Sequence, residues 1–495
     1  MKNVTVLSSD CGYRLASLRT DAFQGPCTGI YVLRAAGTAA SQFSKERDVM
    51  RVLWICNIML PRIAVKLGQE VNNKEGWITG LLDAVLHFNE AHPEEEVQLG
   101  VAFPVGKGQP FLQDALVVHE NYDIPFYGFR EDTSMPEQYD MAVEQDMVRI
   151  FEHFKPDMIH CFGTEYPHTL AAVKSFGRRS RTLVGVQGLC RVCAGAYMAN
   201  LPQKVQRSVT FRDLVKQDTL LKQQQKFEDR GQWELAAIQG TGHVTGRTEW
   251  DKYWTCKWNP GAEYHALNET LRKEFYLGQW SLEHCEPHRL FFSQGDYPLK
   301  GLHYMLSALP KILEKYPDAR VYVAGNSLLR SRNLQGRLKI SAYGVYLEKL
   351  ISRYGLEGKV HFLGKLTAEE MKAQYLKCQA FVCASSMENS PNSMGEAMLL
   401  GTPVVTSYVG GIPTILKADE GTMFDGFCAE RAEEEEELAR ISDRLAEAVC
   451  QVFGDIPSAI QKAARAKAHA LKTHNAAVNN DRLIEIYKNV TGKTE

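Results

Sequence analysis

No apolar run in this 495-residue chain approaches the roughly 18–20 residues that a helix needs to cross a bilayer, so membrane insertion is not expected. Neither sign of charge is in excess. The 57 Lys and Arg stand against 59 Asp and Glu, which removes the basic surplus that nucleic-acid binding draws on. No GxGxxG follows the first strand-like run, so the dinucleotide fingerprint of NAD-dependent oxidoreductases is missing. Cys190 and Cys193 form a lone CxxC with no second pair at zinc-ligand spacing, and read as two thiols in a loop. The 12 cysteines are scattered, and Cys56, Cys161 and Cys383 fall in apolar runs where a thiol behaves as a small hydrophobe. A reducing, cytoplasmic compartment fits that usage. The first 49 residues lack a sustained period of helix or strand, and also a compact apolar stretch with a cleavage site. They are read as an N-terminal extension outside the fold, or the product of an upstream start codon, and not as a signal peptide.

What remains is the composition of a soluble enzyme, 44% hydrophobic and 23% charged, on a chain too long for one hydrophobic core. From Met50, strand-like runs alternate with helical patterns: Val52–Cys56, Trp77–Asn89, Val97–Phe103, Asp157–Cys161, Thr182–Val186 and His243–Gly246. A second alternation starts near Arg289 and continues through RVYVAG, KVHFLG, AFVCAS and TPVVTS. Thr367 and Glu370 mark a capping box between two of these runs. The pattern predicts an α/β fold of two mainly parallel, helix-covered sheets, a first domain over 50–285 and a second over 286–495. The polar helical stretch Phe211–Arg230 reads as a peripheral excursion, and Glu433–Glu437 as a solvated helix face or loop. The amphipathic end, Arg482–Val490, can dock against either domain, the first included.

The most informative stretch runs from Phe381 to Pro413, FVCASSMENSPNSMGEAMLLGTPVVTSYVGGIP. A strand enters a loop of small and turn-forming residues, and a helix then begins near Ser393 and stops at Gly401. Ligands of open parallel sheets collect at such strand ends. Glu388 stands before the turn and Glu396 in the first turn of the helix. A helix N-terminus suits a pyrophosphate, and carboxylates accept hydrogen bonds from vicinal sugar hydroxyls.

This EX7E segment, followed by EAM, a glycine, PVV and a GG pair, resembles the donor-site signature of glycosyltransferase family 4. The run LKGLHYMLSALP is similar to a second segment of that family. The resemblance implies a GT-B architecture, in which two Rossmann-like domains face each other across a cleft. It implies that Glu396 binds the ribose of a nucleotide sugar, that Glu388 lies by the donor sugar, and that backbone amides near Asn392 and Ser393 reach donor oxygens. Lys300, followed by Gly301, is implied as the diphosphate cation. Gly76, in NNKEGWITGLL, matches a glycine loop that approaches the phosphates.

Two departures stand out. The family often has an arginine just after the glycine of the strand RLFFSQG, where this chain has Asp296; Arg247 is a candidate replacement. Many relatives carry a histidine where this chain has Phe162, and His160 reads as a hydrogen-bonded strand histidine. Glu165, and the loop holding Gln187 and Gly188, are expected to face the cleft.

The resulting expectation is a retaining, metal-independent transferase without a cofactor. It would move a sugar from a UDP- or GDP-linked donor to a saccharide or lipid-linked acceptor in polysaccharide or glycoconjugate biosynthesis. Its place would be cytoplasmic, with peripheral contact at the inner membrane face left open. The alternatives are a GT-B epimerase or sugar phosphorylase, and a catalytically silent sugar- or nucleotide-binding subunit.

Overall fold

The structure is a computed structural model that describes residues 49–70, 76–119, 122–326, 339–427 and 434–492. The proposed extension over 1–49 therefore lies outside the described residues, apart from Val49. Two sheets organise the chain. The first has eight strands in the order β3-β4-β2-β1-β5-β6-β7-β8. They are β1 Met50–Ile55, β2 Val97–Val105, β3 Leu112–His119, β4 Tyr122–Arg130, β5 Met158–Phe162, β6 Thr182–Gly185, β7 His243–Gly246 and β8 Glu263–Ala266. All neighbours pair in parallel except β3 with β4, which form an antiparallel edge.

The second sheet is wholly parallel, in the order β11-β10-β9-β12-β13-β14. Its strands are β9 Arg289–Phe292, β10 Arg320–Ala324, β11 Val360–Gly364, β12 Ala380–Cys383, β13 Val404–Tyr408 and β14 Thr422–Asp425. β9 and β12 are buried on both faces, which is why they read as continuous apolar runs. The helix Ala368–Lys377 begins at the capping box, with Thr367 and Glu370 each bonding the other's backbone N–H.

Each half of the chain contributes to the other's core. The last helix, Ala476–Thr491, lays Leu483, Ile484, Ile486, Tyr487 and Val490 among the core residues of the first sheet. Conversely Ala196, Tyr197, Ala199, Leu201 and Leu220, which lie before β7 in the chain, pack with Leu299, Tyr304 and Tyr343 of the second domain.

The expected single helix over Phe211–Arg230 is two helices, Phe211–Lys216 and Leu220–Gly240. Gln217 takes a left-handed backbone (φ 52°) and Thr219 caps the second helix through its side chain, so local capping breaks the run. The acidic run is not uniformly solvated. Glu437 is buried and bonded to Arg440 at 2.7 and 2.8 Å, while Glu434 accepts from Gln206 at 2.9 Å.

Candidate active site

A cleft of about 970 Å³ opens at the carboxyl ends of β9, β10, β11 and β12. That is the upper end of the usual range for small-molecule sites, roughly 300–1,000 Å³, and large enough for a nucleotide sugar. Its walls include Ser293, Gln294, Asp296, Lys300, Glu388, Asn392, Ser393 and Glu396 from the second domain, Arg272 from the interdomain segment, and Glu70 from the first domain.

Lys300 ends a single 3₁₀ turn, Pro298–Lys300, and Gly301 follows in a left-handed conformation (φ 72°). The backbone at 301 packs directly on the loop after β12, where a Cβ would fall 1.9 Å from the carbonyl oxygen of Ala384. Only glycine permits that approach. Across the contact, Lys300 Nζ donates to Glu388 Oε1, which also accepts from Ser385 Oγ at 2.8 Å. Burial alone would lower the Lys300 pKa, but the Glu388 carboxylate outweighs it and holds the amine above its usual value.

The GG pair supports the other side of the same loop. A Cβ at Gly410 would fall 2.0 Å from the Glu388 carbonyl oxygen, which accepts from Gly411 N at 3.0 Å. Asn389, next in the chain, fastens the loop to the first domain. Its amide donates to Asp251 Oδ2 at 2.9 Å and Gln187 O at 3.1 Å, and accepts from Thr248 Oγ1 at 2.6 Å.

The helix Asn392–Leu400 starts without a side-chain cap, and the backbone N–H groups of Asn392 and Ser393 find no acceptor among the described residues. Two free N–H groups opening into a polar cleft make a place for an anion. Glu396, one turn on, is 3% exposed. Arg272 Nε and Nη2 donate to its Oε1 at 2.9 and 2.6 Å, and Tyr375 Oη reaches Oε2 at 3.4 Å. Burial pushes the Glu396 carboxyl up to about 7, with Arg272 opposing the shift.

The structure thus brings Lys300, Glu388, Asn392, Ser393 and Glu396 into one cleft. Gly301 lies behind Lys300, and Gly76 opens the helix Gly76–Ala91. The residues before Gly76 in that motif, Asn72–Glu75, lie outside the described ones. Arg247 is not in the wall of the cleft. It is buried between the domains, 2.7 Å from Glu269 Oε2, and donates to Gln187 at 3.2 Å. Glu165, also outside the wall, accepts from Gly188 N at 3.2 Å and Asn57 Nδ2 at 3.4 Å.

Arg272 is the residue that the sequence reading missed. It sits in the segment between the sheets, where no periodicity or motif marks it, and supplies a cation to a wall whose Asp296 is acidic. His160 is buried, with Nδ1 bonded to Tyr487 Oη at 2.8 Å, and burial lowers its pKa to about 3.

Cys190 and Cys193 are free thiols on the helix Cys190–Ala196, a helical turn where a loop was expected. Among the described residues, the one His/Cys/Asp/Glu group close enough to share a cation is His243, Glu263 and His265. His243 and Glu263 open β7 and β8, at the strand ends opposite the carboxyl-terminal ones. Among the described residues, no helix is long and apolar enough to cross a membrane.

Two parallel-sheet α/β domains, with a cleft at the carboxyl ends of the second sheet, define a GT-B protein. Residues 281–466 match the family model described as glycosyl transferases group 1. That span holds β9 to β14 and the EX7E segment, so the likeness to that family is carried by the second domain. Among curated relatives, an uncharacterized glycosyltransferase of Methanocaldococcus jannaschii is 36% identical over 118 residues, 24% of this chain and 26% of that one. Sulfoquinovosyl transferase SQD2 of Arabidopsis thaliana is 26% identical over 315 residues, 62% of this chain and 54% of that one. The match spans a quarter to about half of the length of these relatives.

Among solved structures, sucrose-phosphate synthase from Thermosynechococcus elongatus superposes with a TM-score of 0.60 at 13% identity, covering 90% of this chain and all of that one. Anabaena Alr3699/HepE in complex with UDP-glucose superposes with a TM-score of 0.54 at 15% identity, covering 88% and 99%. Identities this low speak to the fold alone.

Proposed function

We propose that this chain transfers a hexose-type sugar from a UDP- or GDP-linked donor to a hydroxyl of a saccharide or lipid-linked acceptor, with retention of anomeric configuration. The observation that carries the reading is the Lys300–Glu388 pair, set beside the uncapped start of the helix Asn392–Leu400 in one cleft. The diphosphate takes the N–H groups of Asn392 and Ser393 together with Lys300, and Arg272 adds a second positive charge. Glu396 accepts from the ribose, and Glu388 faces the transferred sugar. In this reading Lys300 and Arg272 supply the charge that meets the leaving group, and no cofactor is invoked. HepE, which shares the fold, is solved with UDP-glucose, a donor of the class proposed.

In the reaction the bond from the anomeric carbon to the diphosphate oxygen breaks and a bond to the acceptor oxygen forms on the same face. The acceptor proton passes to the departing phosphate, so no side-chain base is needed. Closure of the cleft excludes water from that step. The reading is tested by a thermal-shift panel of UDP, GDP and ADP sugars followed by donor-turnover assays. A specific donor raises the melting temperature by mass action. Failure of every donor to shift a well-folded sample removes the assignment, and epimerised donor without acceptor consumption reassigns the reaction.

A further inference from the structure

The short helix Phe211–Lys216 is turned inside out. Its one buried residue is charged: Asp213 accepts from the backbone N–H of Thr210 and, at 2.9 Å, from that of Ala342 in the second domain. Its apolar residues face outward instead, Phe211 being 61%, Leu214 64% and Val215 66% exposed. Val209 and Leu221, on either side, are each half exposed. Five large apolar side chains within thirteen residues are thus held in solvent by polar anchors beneath them, the reverse of the pattern that folding favours.

Charge says what covers them. Residues 204–222 hold five basic groups and two acidic ones, and both acids are engaged by Arg212 at 3.0 and 3.2 Å. Lys204, Arg207, Lys216 and Lys222 are exposed and have no carboxylate partner among the described residues. A second copy docked by the same patch would set these cations against their own equivalents. An anionic surface with an apolar interior satisfies both features at once. We propose that residues 204–222 form a docking surface for the anionic face of a lipid bilayer, with Phe211, Leu214 and Val215 entering the headgroup boundary. The segment just before it, Ala196–Leu201, packs on Leu299 and Tyr304 beside Lys300, so the docked bilayer lies on the flank of the cleft.

The experiment is co-sedimentation of the full chain with vesicles of phosphatidylglycerol and phosphatidylcholine, against phosphatidylcholine alone, at low salt. The wild type pellets several-fold more with the anionic vesicles and is released by added salt. Phe211→Ser with Leu214→Ser, and separately Arg207→Glu with Lys216→Glu, each weaken binding about tenfold while leaving the melting temperature within a degree or two, since these side chains are solvated. The proposal is overturned if the wild type stays in the supernatant with anionic vesicles, or if both pairs of substitutions leave pelleting unchanged. It is equally overturned if light scattering shows a dimer that Phe211→Ser with Leu214→Ser dissolves, which assigns the patch to a second copy. None of these outcomes bears on the transfer reading, which the donor panel tests separately.

Discussion

Gly301 and Ala384 touch through their backbones, and the contact leaves no room for a Cβ: one at position 301 would sit 1.9 Å from the Ala384 carbonyl oxygen. Lys300 precedes this contact and the loop carrying Glu388 follows it. Gly301→Ala must therefore separate the two segments or distort both. The left-handed backbone alone costs about 1–2 kcal/mol in a residue with a Cβ, and the clash adds to that. The expected result is a lower melting temperature together with a loss of donor-induced stabilisation, read by thermal shift with and without the donor. A variant with unchanged donor response would show that the close approach does not set the site.

Lys300 and Glu388 act as a unit in the proposed reaction, so their effects should not add. Lys300→Ala removes the cation beside the leaving group and should lower kcat on the order of 10²–10³-fold, the size seen for single electrostatic donors in acyl transfer. Glu388→Gln keeps the shape and removes the charge. If the double variant is no slower than the worse single one, the pair is one functional element; additive losses would mean two separate roles.

Much of this site was legible because its parts are local. The strand, loop and helix from Ala380 to Leu400 lie in one continuous stretch, and the glycines at 301, 410 and 411 mark backbone contacts that no other residue allows. Arg272 was not legible, because its place in the cleft depends on how the segment between the sheets folds back. The β3–β4 edge was missed for a related reason. β4 is largely buried but its run is broken by Asp123, Pro125 and Gly128, and in β3 Val117, 68% exposed, breaks the alternation that would mark an inner face. The polar stretch Phe211–Arg230 reads as an excursion, but that the segment before it buries Tyr197 and Leu201 in the second domain's core is a tertiary fact.

Arg272 has two partners to satisfy, Glu396 now and the donor in the proposed complex. Arg272→Met removes charge-assisted hydrogen bonds worth roughly 1.5–3 kcal/mol and should weaken donor binding about tenfold or more. Calorimetric titration with the donor that stabilises the wild type measures this directly. An unchanged affinity would confine Arg272 to holding Glu396.

The Glu396 carboxyl also gives stability a pH signature. Burial raises its folded pKa to about 7 from an ordinary 4.5, so the folded chain binds the proton more tightly than the unfolded one. The contribution is complete below 4.5 and is lost as pH rises through 7. Glu396→Gln removes that titration, so its melting temperature should fall less than the wild type's between pH 5 and 8. Parallel profiles would mean that Arg272 keeps the carboxylate ionised throughout the range.

Asn389 connects donor loop and first domain through three hydrogen bonds, to Asp251, Gln187 and Thr248, and it is adjacent to Glu388 in the chain. Lys300, Ser385 and Gly411 hold Glu388 from within the second domain, and Asn389 adds the tie to the first, because Asp251, Gln187 and Thr248 all lie before β8. Asn389→Ala leaves the donor-facing side chains intact, takes from the Thr248 hydroxyl its acceptor, and removes one donor from Asp251, which keeps the N–H groups of Arg247 and Thr248 and the Tyr264 hydroxyl. The loss of a buried amide with several partners costs about 1–3 kcal/mol of stability. More telling is the division between kinetic constants. A residue that fastens the closed arrangement should lower kcat while leaving donor affinity, set largely within the second domain, close to the wild-type value. Equal losses in both would make Asn389 an ordinary part of the donor site, and a loss of stability alone would make it structural.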